Sequence, residues 1–437
     1  MLAYQIKIAI KSLRRNPLLS ALLIGGIALG IAVSTAFVTT YYMLASDPIP
    51  EKSDVLYYVQ VDSWDPEDSW SDDHPEYAPN QLNYTDFMGL FDSDIPTYKV
   101  GSYKGSLTVQ PDNDIEKPFQ ENIRMTTRDF FNAFDVPFQF GGGWGKTADE
   151  GPEPVVVIGA EMNRRLFGGE NSVGETIRIS NDDYAIVGVL DDWRPTLKFY
   201  DIHNNPFGEP EEIYMPFAFH RPMELFSSGN TSGWKFYPGN EYEDFLNSES
   251  IWIQYWVQLD DAQQREEFMS FMNAYVMEQK EFGRFPRPLN NYLLSPMEWL
   301  KVEEALPEEA KGMLIIAMLF LLVCSVNLIG ILLGKFLARA PEVGVRRALG
   351  ASKRAVFIQH LVECEVIGVI GGIAGIILSI GALELINKLF DNQFSFGLDL
   401  NMVIAGLVLS LGAGLIAGLY PAWRICRVAP AVHLKLQ

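Results

Sequence analysis

Between Leu18 and Met43 the chain runs for 26 residues without a charged side chain. At about 1.5 Å rise per residue, a helix of that length crosses a hydrocarbon core roughly 30 Å thick. The run is much longer than the apolar core of a cleaved signal peptide and has no clear small-x-small cleavage site, so it reads as a retained membrane span. Three further apolar stretches follow late in the chain: Gly312–Gly334, Val366–Leu383 between two glutamates, and Leu400–Trp423.

Orientation follows from the basic residues beside these spans. The N-terminal segment carries Lys7, Lys11, Arg14 and Arg15 and no acid. The connection after the second span carries Lys335, Arg339, Arg346, Arg347, Lys353 and Arg354 against Glu342 alone, and the tail has Arg424, Arg427 and Lys435. All three are expected on the cytoplasmic side. The expected organisation is a cytoplasmic amphipathic segment (1–17), a first span (18–43) and an extracytoplasmic domain (44–311). A second span (312–334), a cytoplasmic loop (335–354), a third span (355–386), a short outer loop (387–399), a fourth span (400–423) and a cytoplasmic tail (424–437) follow. The fold class is thus an α-helical membrane protein with four transmembrane helices, one before and three after a large inserted α+β domain.

Charge divides the chain in the same way. Residues 47–310 hold 49 acidic and 19 basic side chains, a formal −30, while the remainder is +9. So acidic a domain argues against a nucleic-acid partner and favours good solubility. Cys324, Cys364 and Cys426 all lie in or beside the spans, so the outer domain has no disulfide to rely on. Within it, Ile251 to Leu259 alternate as a strand, about Ala262–Phe282 reads as a helix, and Tyr292–Leu294 is extended. Val155–Ile158 reads as a buried strand, Glu161–Phe167 as a helix, and Thr176–Ile179 with Tyr184–Leu190 as a hairpin turned at Asn181-Asp182. These belong to a segment, about 123–220, expected to form a separate small module. Residues 195–250 read as long loops with a short strand at Ile213–Met215. The Trp64–His74 stretch, acidic with two tryptophans, reads as a solvated loop.

No catalytic constellation emerges. Phe140–Thr147 ends in Gly-Lys-Thr, but a phosphate-binding loop needs glycine where Phe140 stands, and a glycine-rich turn is the better account. The five histidines show no paired-ligand spacing, so no metal site and no cofactor bound by the chain itself is expected. Small-xxx-small spacings in the spans, at Gly26 and Gly30, Gly330 and Gly334, Gly368, Gly371, Gly372 and Gly375, and Gly414 and Gly418, point to close helix packing. Glu363 and Glu365 stand near the inner end of the third span, as functional intramembrane charges or interfacial ones. In the basic loop, Pro341 suits a helix start and Gly350 a helix stop, giving a short helix that can dock in a cleft of a cytoplasmic partner.

The sequence from Glu342 through Val343, Gly344, Val345, Arg346, Arg347, Ala348, Leu349, Gly350 and Ala351 to Ser352, then Gln359–Glu363 and Gly368–Gly375, resembles the MacB/FtsX-like permeases. Leu13–Pro17, Gly418–Arg424 with Pro430, Thr127–Phe131 and the Val155–Leu190 region agree with it, the last resembling a MacB-type periplasmic core. The resemblance implies a permease dimer, of identical or related chains, driven by a cytoplasmic ABC ATPase that binds ATP and magnesium. Residues 342–352 would take up the ATPase motion and the outer domain would be moved by mechanotransmission. It further implies a bacterial inner membrane location in contact with lipid, with a periplasmic adaptor as a further partner. Since the sequence starts at the permease, a separate ATPase subunit is expected. The implied function is export of a peptide, drug-like or lipidated substrate. Alternatives are lipoprotein release, or FtsX-like regulation of an outer hydrolase.

Overall fold

The computed structural model describes residues 2–111, 117–195, 197–237, 239, 241–305, 308–389, 397–398 and 400–427. It divides into two compact units, one of Met1–Ser46 with Leu306–Gln437 and one of Asp47–Ala305. The first unit opens with α1 (Leu2–Arg15) and α2 (Pro17–Ala45). Pro17 separates them, because it has no N–H to give to the preceding turn yet already holds the φ that a first helical position needs. α2 is one of four described helices long and apolar enough to cross a membrane.

The second unit runs β1 (Leu56–Gln60), α3 (Tyr84–Phe91), β2 (Tyr98–Gln110), β3 (Phe119–Thr126), α4 (Phe130–Ala133), β4 (Phe138–Gly141), α5 (Lys146–Glu150), β5 (Val155–Ile158) and α6 (Ala160–Phe167). It continues with β6 (Thr176–Ile179), β7 (Asp182–Leu190), β8 (Ile213–Pro216), α7 (Tyr242–Leu246), β9 (Gln254–Gln258), α8 (Ala262–Glu281), β10 (Tyr292–Leu294) and α9 (Pro296–Val302). All ten described strands join one sheet, in the order β10-β1-β9-β2-β3-β8-β5-β7-β4, and β6 pairs with both β2 and β7. The strands β2, β3, β8, β5, β7 and β6 therefore close on one another as a ring, which leaves none of the six with a wholly unpaired side.

That ring corrects the expectation of a separate module at about 123–220. Its strands share β2 with the rest of the domain, and β3 pairs with β2 over eight residues, so no boundary falls there. The β6–β7 hairpin also turns one residue earlier than expected. Ile179 pairs with Asp182, and Ser180 takes the positive φ of +58° that the tight turn requires. The Ile251–Leu259 run is buried on both faces: Tyr255 and Val257 enter one apolar cluster, while Trp256 enters the other. β1 divides likewise, with Tyr57 and Val59 on one side and Leu56 and Tyr58 on the other. Layers cover both faces of the sheet here, so alternation along the strand separates two cores and not core from solvent.

Two charged clusters are built into this unit. Arg124 on β3 is fully buried between Asp201 and Glu211, with Glu211 at 2.7 Å, and Lys198 lies 3.3 Å from Glu211. Burial alone would raise the Glu211 pKa, but Arg124 and Lys198 bring it down to about 2. Arg287 organises the acidic tryptophan loop. Its guanidinium lies 3.0 Å from Asp62 and donates to the carbonyls of Asp65, Asp68 and Pro75. Trp64 packs edge-on against Trp70 with ring centroids 4.7 Å apart. The loop is thus pinned by one arginine, although its acidic side chains remain largely exposed.

Returning to the helical unit, α10 (Glu308–Leu337), α11 (Ala340–Ala348), α12 (Lys353–Leu389) and α13 (Leu400–Cys426) complete it. Helix α12 packs against α1, α2 and α13, and α10 against α2 and α13. Glycines let the backbones approach. A methyl group on Gly375 would lie 2.7 Å from Ile31 Cβ, one on Gly371 2.8 Å from Ile27, and one on Gly30 3.1 Å from Leu321. Gly26 meets Leu328, Gly368 and Gly372 meet Ser410, Gly414 meets Glu365, and Gly418 meets Cys364. Gly330 and Gly334 do not share this role: nothing lies within 4 Å of a side chain built on either, because they sit on an open face of α10. Most of the expected outer loop, and the tail from residue 428 including Pro430, lie outside the described residues.

Candidate functional site

The chemistry-bearing residues of the helical unit gather around α11. Pro341 occupies its first turn, Glu342 stands near the N-terminus, and Arg346 and Arg347 stand in the last turn, each charge on the favourable side of the helix dipole. Gly350, at φ +101°, ends it. The Ala351 N–H donates to the Arg346 carbonyl at 3.0 Å and the Gly350 N–H to that of Arg347 at 3.1 Å, the paired bonds of a Schellman stop. Two residues on, the Ser352 hydroxyl accepts from the Ala355 N–H at 3.1 Å and caps α12. Gly350, Ala351 and Ser352 therefore shape the turn between two helices.

Within α11 the side chains divide sharply. Ala340, Val343 and Gly344 are buried against the unit. Arg346 bonds to Glu342 at 2.8 Å and to Gln359 of α12 at 3.2 Å, while Arg347 donates to the Cys426 carbonyl of α13 at 3.2 Å. Glu342 also lies 3.9 Å from Arg15 of α1. The two arginines, the conspicuous feature of the sequence, thus tie α11 to the bundle. Beside the exposed Glu342–Arg346 pair, an apolar ridge projects outward: Val345 is 47% exposed, Leu349 is 84% exposed, and Ala348 is exposed with them.

Behind α11 lies a buried ionic junction that joins three helices. Glu363 of α12 receives Lys335 of α10 at 2.8 Å and Arg339 at 3.4 Å, and it accepts from the Ser12 hydroxyl of α1. Ser12 in turn accepts from Arg339. His360 lies one turn before Glu363 and packs on Phe336 with ring centroids 4.4 Å apart. The carboxylate is 3% exposed and the Lys335 side chain 1%, so Lys335 depends on Glu363 for compensation, while Glu363 also has Arg339 and Ser12. The sequence marked Lys335, Arg339 and Glu363 separately, and the turn between α10 and α11, where Arg339 stands, is what brings the two cations to one carboxylate. Nothing in the sequence pointed to Ser12. Glu365 is placed elsewhere, beside Gly414 of α13, and takes no part in the junction.

In the other unit, the Phe140–Thr147 segment forms no phosphate cradle. Gly141 ends β4 at positive φ, Trp144 is buried, and Lys146 starts a five-residue helix and pairs with Glu150 at 3.0 Å.

Residues 20–275 match the MacB-like periplasmic core domain family, and residues 314–430 match the FtsX-like permease C-terminal family. The macrolide export ATP-binding/permease protein MacB of Salmonella paratyphi A is 23% identical over 84% of this chain and 50% of its own length. The pyoverdine export ATP-binding/permease protein PvdT of Pseudomonas syringae pv. tomato is 25% identical over 69% of this chain and 40% of its own. The chain thus spans half or less of the length of these curated relatives. The crystal structure of the periplasmic region of MacB from Actinobacillus actinomycetemcomitans aligns with 59% of this chain and 95% of its own at 12% identity and a TM-score of 0.37.

Proposed function

Because the chain belongs to the MacB/FtsX-type permease family, we propose that it is the membrane permease of an ABC-type exporter, moved by a cytoplasmic ABC ATPase that docks on α11. The observation that carries this reading is the divided surface of α11. Arg346 and Arg347 fix the helix to α12 and α13, and Val345, Ala348 and Leu349 offer an apolar ridge to solvent. An apolar knob on a firmly tied helix suits insertion into a groove of a partner, and a push on it passes to the bundle with little local give. The basic segments beside the spans support a reading in which this end faces the cytoplasm and the acidic Asp47–Ala305 segment lies outside.

In this reading two permease chains work together, the bundle is the lever, and the outer unit moves to expel a peptide, drug-like or lipidated substrate, with a periplasmic adaptor as a further partner. ATP and magnesium are held by the ATPase. The test is co-purification of the full-length chain with its ATPase, followed by ATP hydrolysis in proteoliposomes. Leu349→Asp with Val345→Asp is expected to abolish co-purification and stimulated hydrolysis. If both persist in that variant, or if no ATPase is ever recovered with the wild type, the coupling role of α11 is wrong.

A further inference from the structure

A cleft of about 340 Å³ opens between α1, α11 and α12, and its wall carries Lys11, Arg15, Arg339 and Arg346 against Glu342 and Glu363. The carboxylates are unevenly committed. Glu363 is taken by Lys335, Arg339 and Ser12, and Glu342 by Arg346 at 2.8 Å. Arg15 lies at the outer limit of pairing, 3.9 Å from Glu342, with its side chain 75% exposed. Lys11 has no carboxylate partner among the described residues. The flank of the cleft formed by α1 therefore holds two cations, four residues apart on one helix face, with little opposing charge.

The same helix exposes Tyr4, Ile6 and Ile10, and Tyr4 also lines the cleft. A helix that exposes apolar side chains beside basic ones, immediately before a membrane span, lies at the boundary of headgroups and acyl chains. Lys11 and Arg15 are then held at phosphate depth. Arg15 supplies a planar fork that matches phosphate oxygens, and Lys11 a mobile point charge. We propose that this cleft binds the phosphodiester headgroup of an anionic phospholipid, with Lys11 and Arg15 as the phosphate ligands. A lipid is favoured over free phosphate because Tyr4 and Ile8, on the same wall of the cleft as Lys11 and Arg15, give its acyl chain an apolar contact, and because the membrane presents it at high effective concentration. The inference needs only that the four helices span the bilayer, and it stands whether or not an ATPase docks on α11.

The test is native mass spectrometry of the full-length chain in detergent, titrated with phosphatidylglycerol or with phosphatidylcholine, and with inorganic phosphate as competitor. The wild type is expected to retain phosphatidylglycerol selectively and to keep it against millimolar phosphate. Lys11→Gln with Arg15→Gln is expected to weaken retention about thirtyfold, each basic side chain near an anionic surface supplying close to a factor of five. Lys7→Gln, an exposed α1 lysine outside the cleft lining, is expected to change it less than twofold. Equal loss in the Lys7 variant would reveal diffuse attraction and overturn the site. Displacement by inorganic phosphate would overturn the lipid assignment, and equal retention of phosphatidylcholine would overturn both. Since both ligand residues are exposed the variants are expected to fold, and Lys11→Gln alone, expected at about fivefold, provides the same readout should the pair not.

Discussion

The Lys335–Glu363 junction makes an asymmetric prediction. Glu363→Gln keeps the shape of the side chain but removes the only carboxylate, among the described residues, paired with Lys335 and Arg339. With Lys335 1% exposed, its charge is left buried without compensation, at a cost of about 3–5 kcal/mol. Lys335→Met removes the cation at similar volume and leaves Glu363 with Arg339 and Ser12, so it should cost about 1 kcal/mol. The double variant should be more stable than Glu363→Gln alone, giving a coupling of at least about 1–2 kcal/mol. Cys364, adjacent in sequence and 2% exposed, offers a local probe. In a Cys324→Ser, Cys426→Ser background, its alkylation rate in detergent reports opening of this part of the bundle. Glu363→Gln should raise that rate at least about a hundredfold if opening is local and fast, Lys335→Met by about fivefold, and the double variant by an intermediate factor. Equal rates for the two single variants would refute the asymmetry, and a double variant in which the effects simply multiply would refute the coupling of Lys335 to Glu363.

In the outer unit, Arg124→Met should destabilise by about 3–5 kcal/mol at neutral pH, since Asp201 loses its cation and Glu211 keeps only Lys198. Denaturation followed by tryptophan fluorescence at pH 7 checks this, and an unchanged midpoint would refute it. Asp86 shifts the opposite way to Glu211. Burial first, then Glu249, raises it from 3.8 to about 6 despite Arg284 at 2.7 Å. A carboxyl raised on folding adds stability that is fully present below its unfolded pKa and lost as pH rises through about 6, here at most about 3 kcal/mol. The stability of wild type relative to Asp86→Asn should therefore fall between pH 4 and pH 7, and parallel curves would exclude the shift. For packing, Gly375→Ala should cost about 1–3 kcal/mol in thermal unfolding, because its methyl group meets Ile31 and the Ala28 carbonyl. Gly330→Ala, facing open space, should be neutral or slightly stabilising.

These contrasts mark where the sequence could be read and where it could not. The four apolar helices, the α11 stop at Gly350 and the α8 helix are written in local terms, as uninterrupted apolar length, a glycine at the required φ, and helical periodicity. Each begins and ends within a few residues of its expected limits, and α12, at 353–389, runs well past the apolar Val366–Leu383 stretch because charged residues can continue a helix. By contrast, Gly330 and Gly334 have the same spacing as Gly26 and Gly30, and only the neighbouring helix decides which pair is packed. The 123–220 boundary failed for a similar reason, since β6 finds β2 some seventy residues earlier, and no local signal records that partner.

The arginines of α11 carry the same lesson into function. Two adjacent basic residues on a cytoplasmic loop suggest a charged docking patch, yet Arg346 spends its donors on Glu342 and Gln359, and Arg347 caps the end of α13 through the Cys426 carbonyl. Those bonds fix the angle at which α11 leaves the bundle, and so the direction in which Val345 and Leu349 point. Charge-reversing Arg346 or Arg347 would therefore disturb coupling by freeing the helix, whereas Leu349→Asp would disturb it by spoiling the contact. The two mechanisms separate experimentally. An arginine variant should still recover the ATPase but lose stimulated hydrolysis, while the Leu349 variant should lose both. If the arginine variants lose the partner first, then the charges, and not the apolar ridge, are what the partner reads.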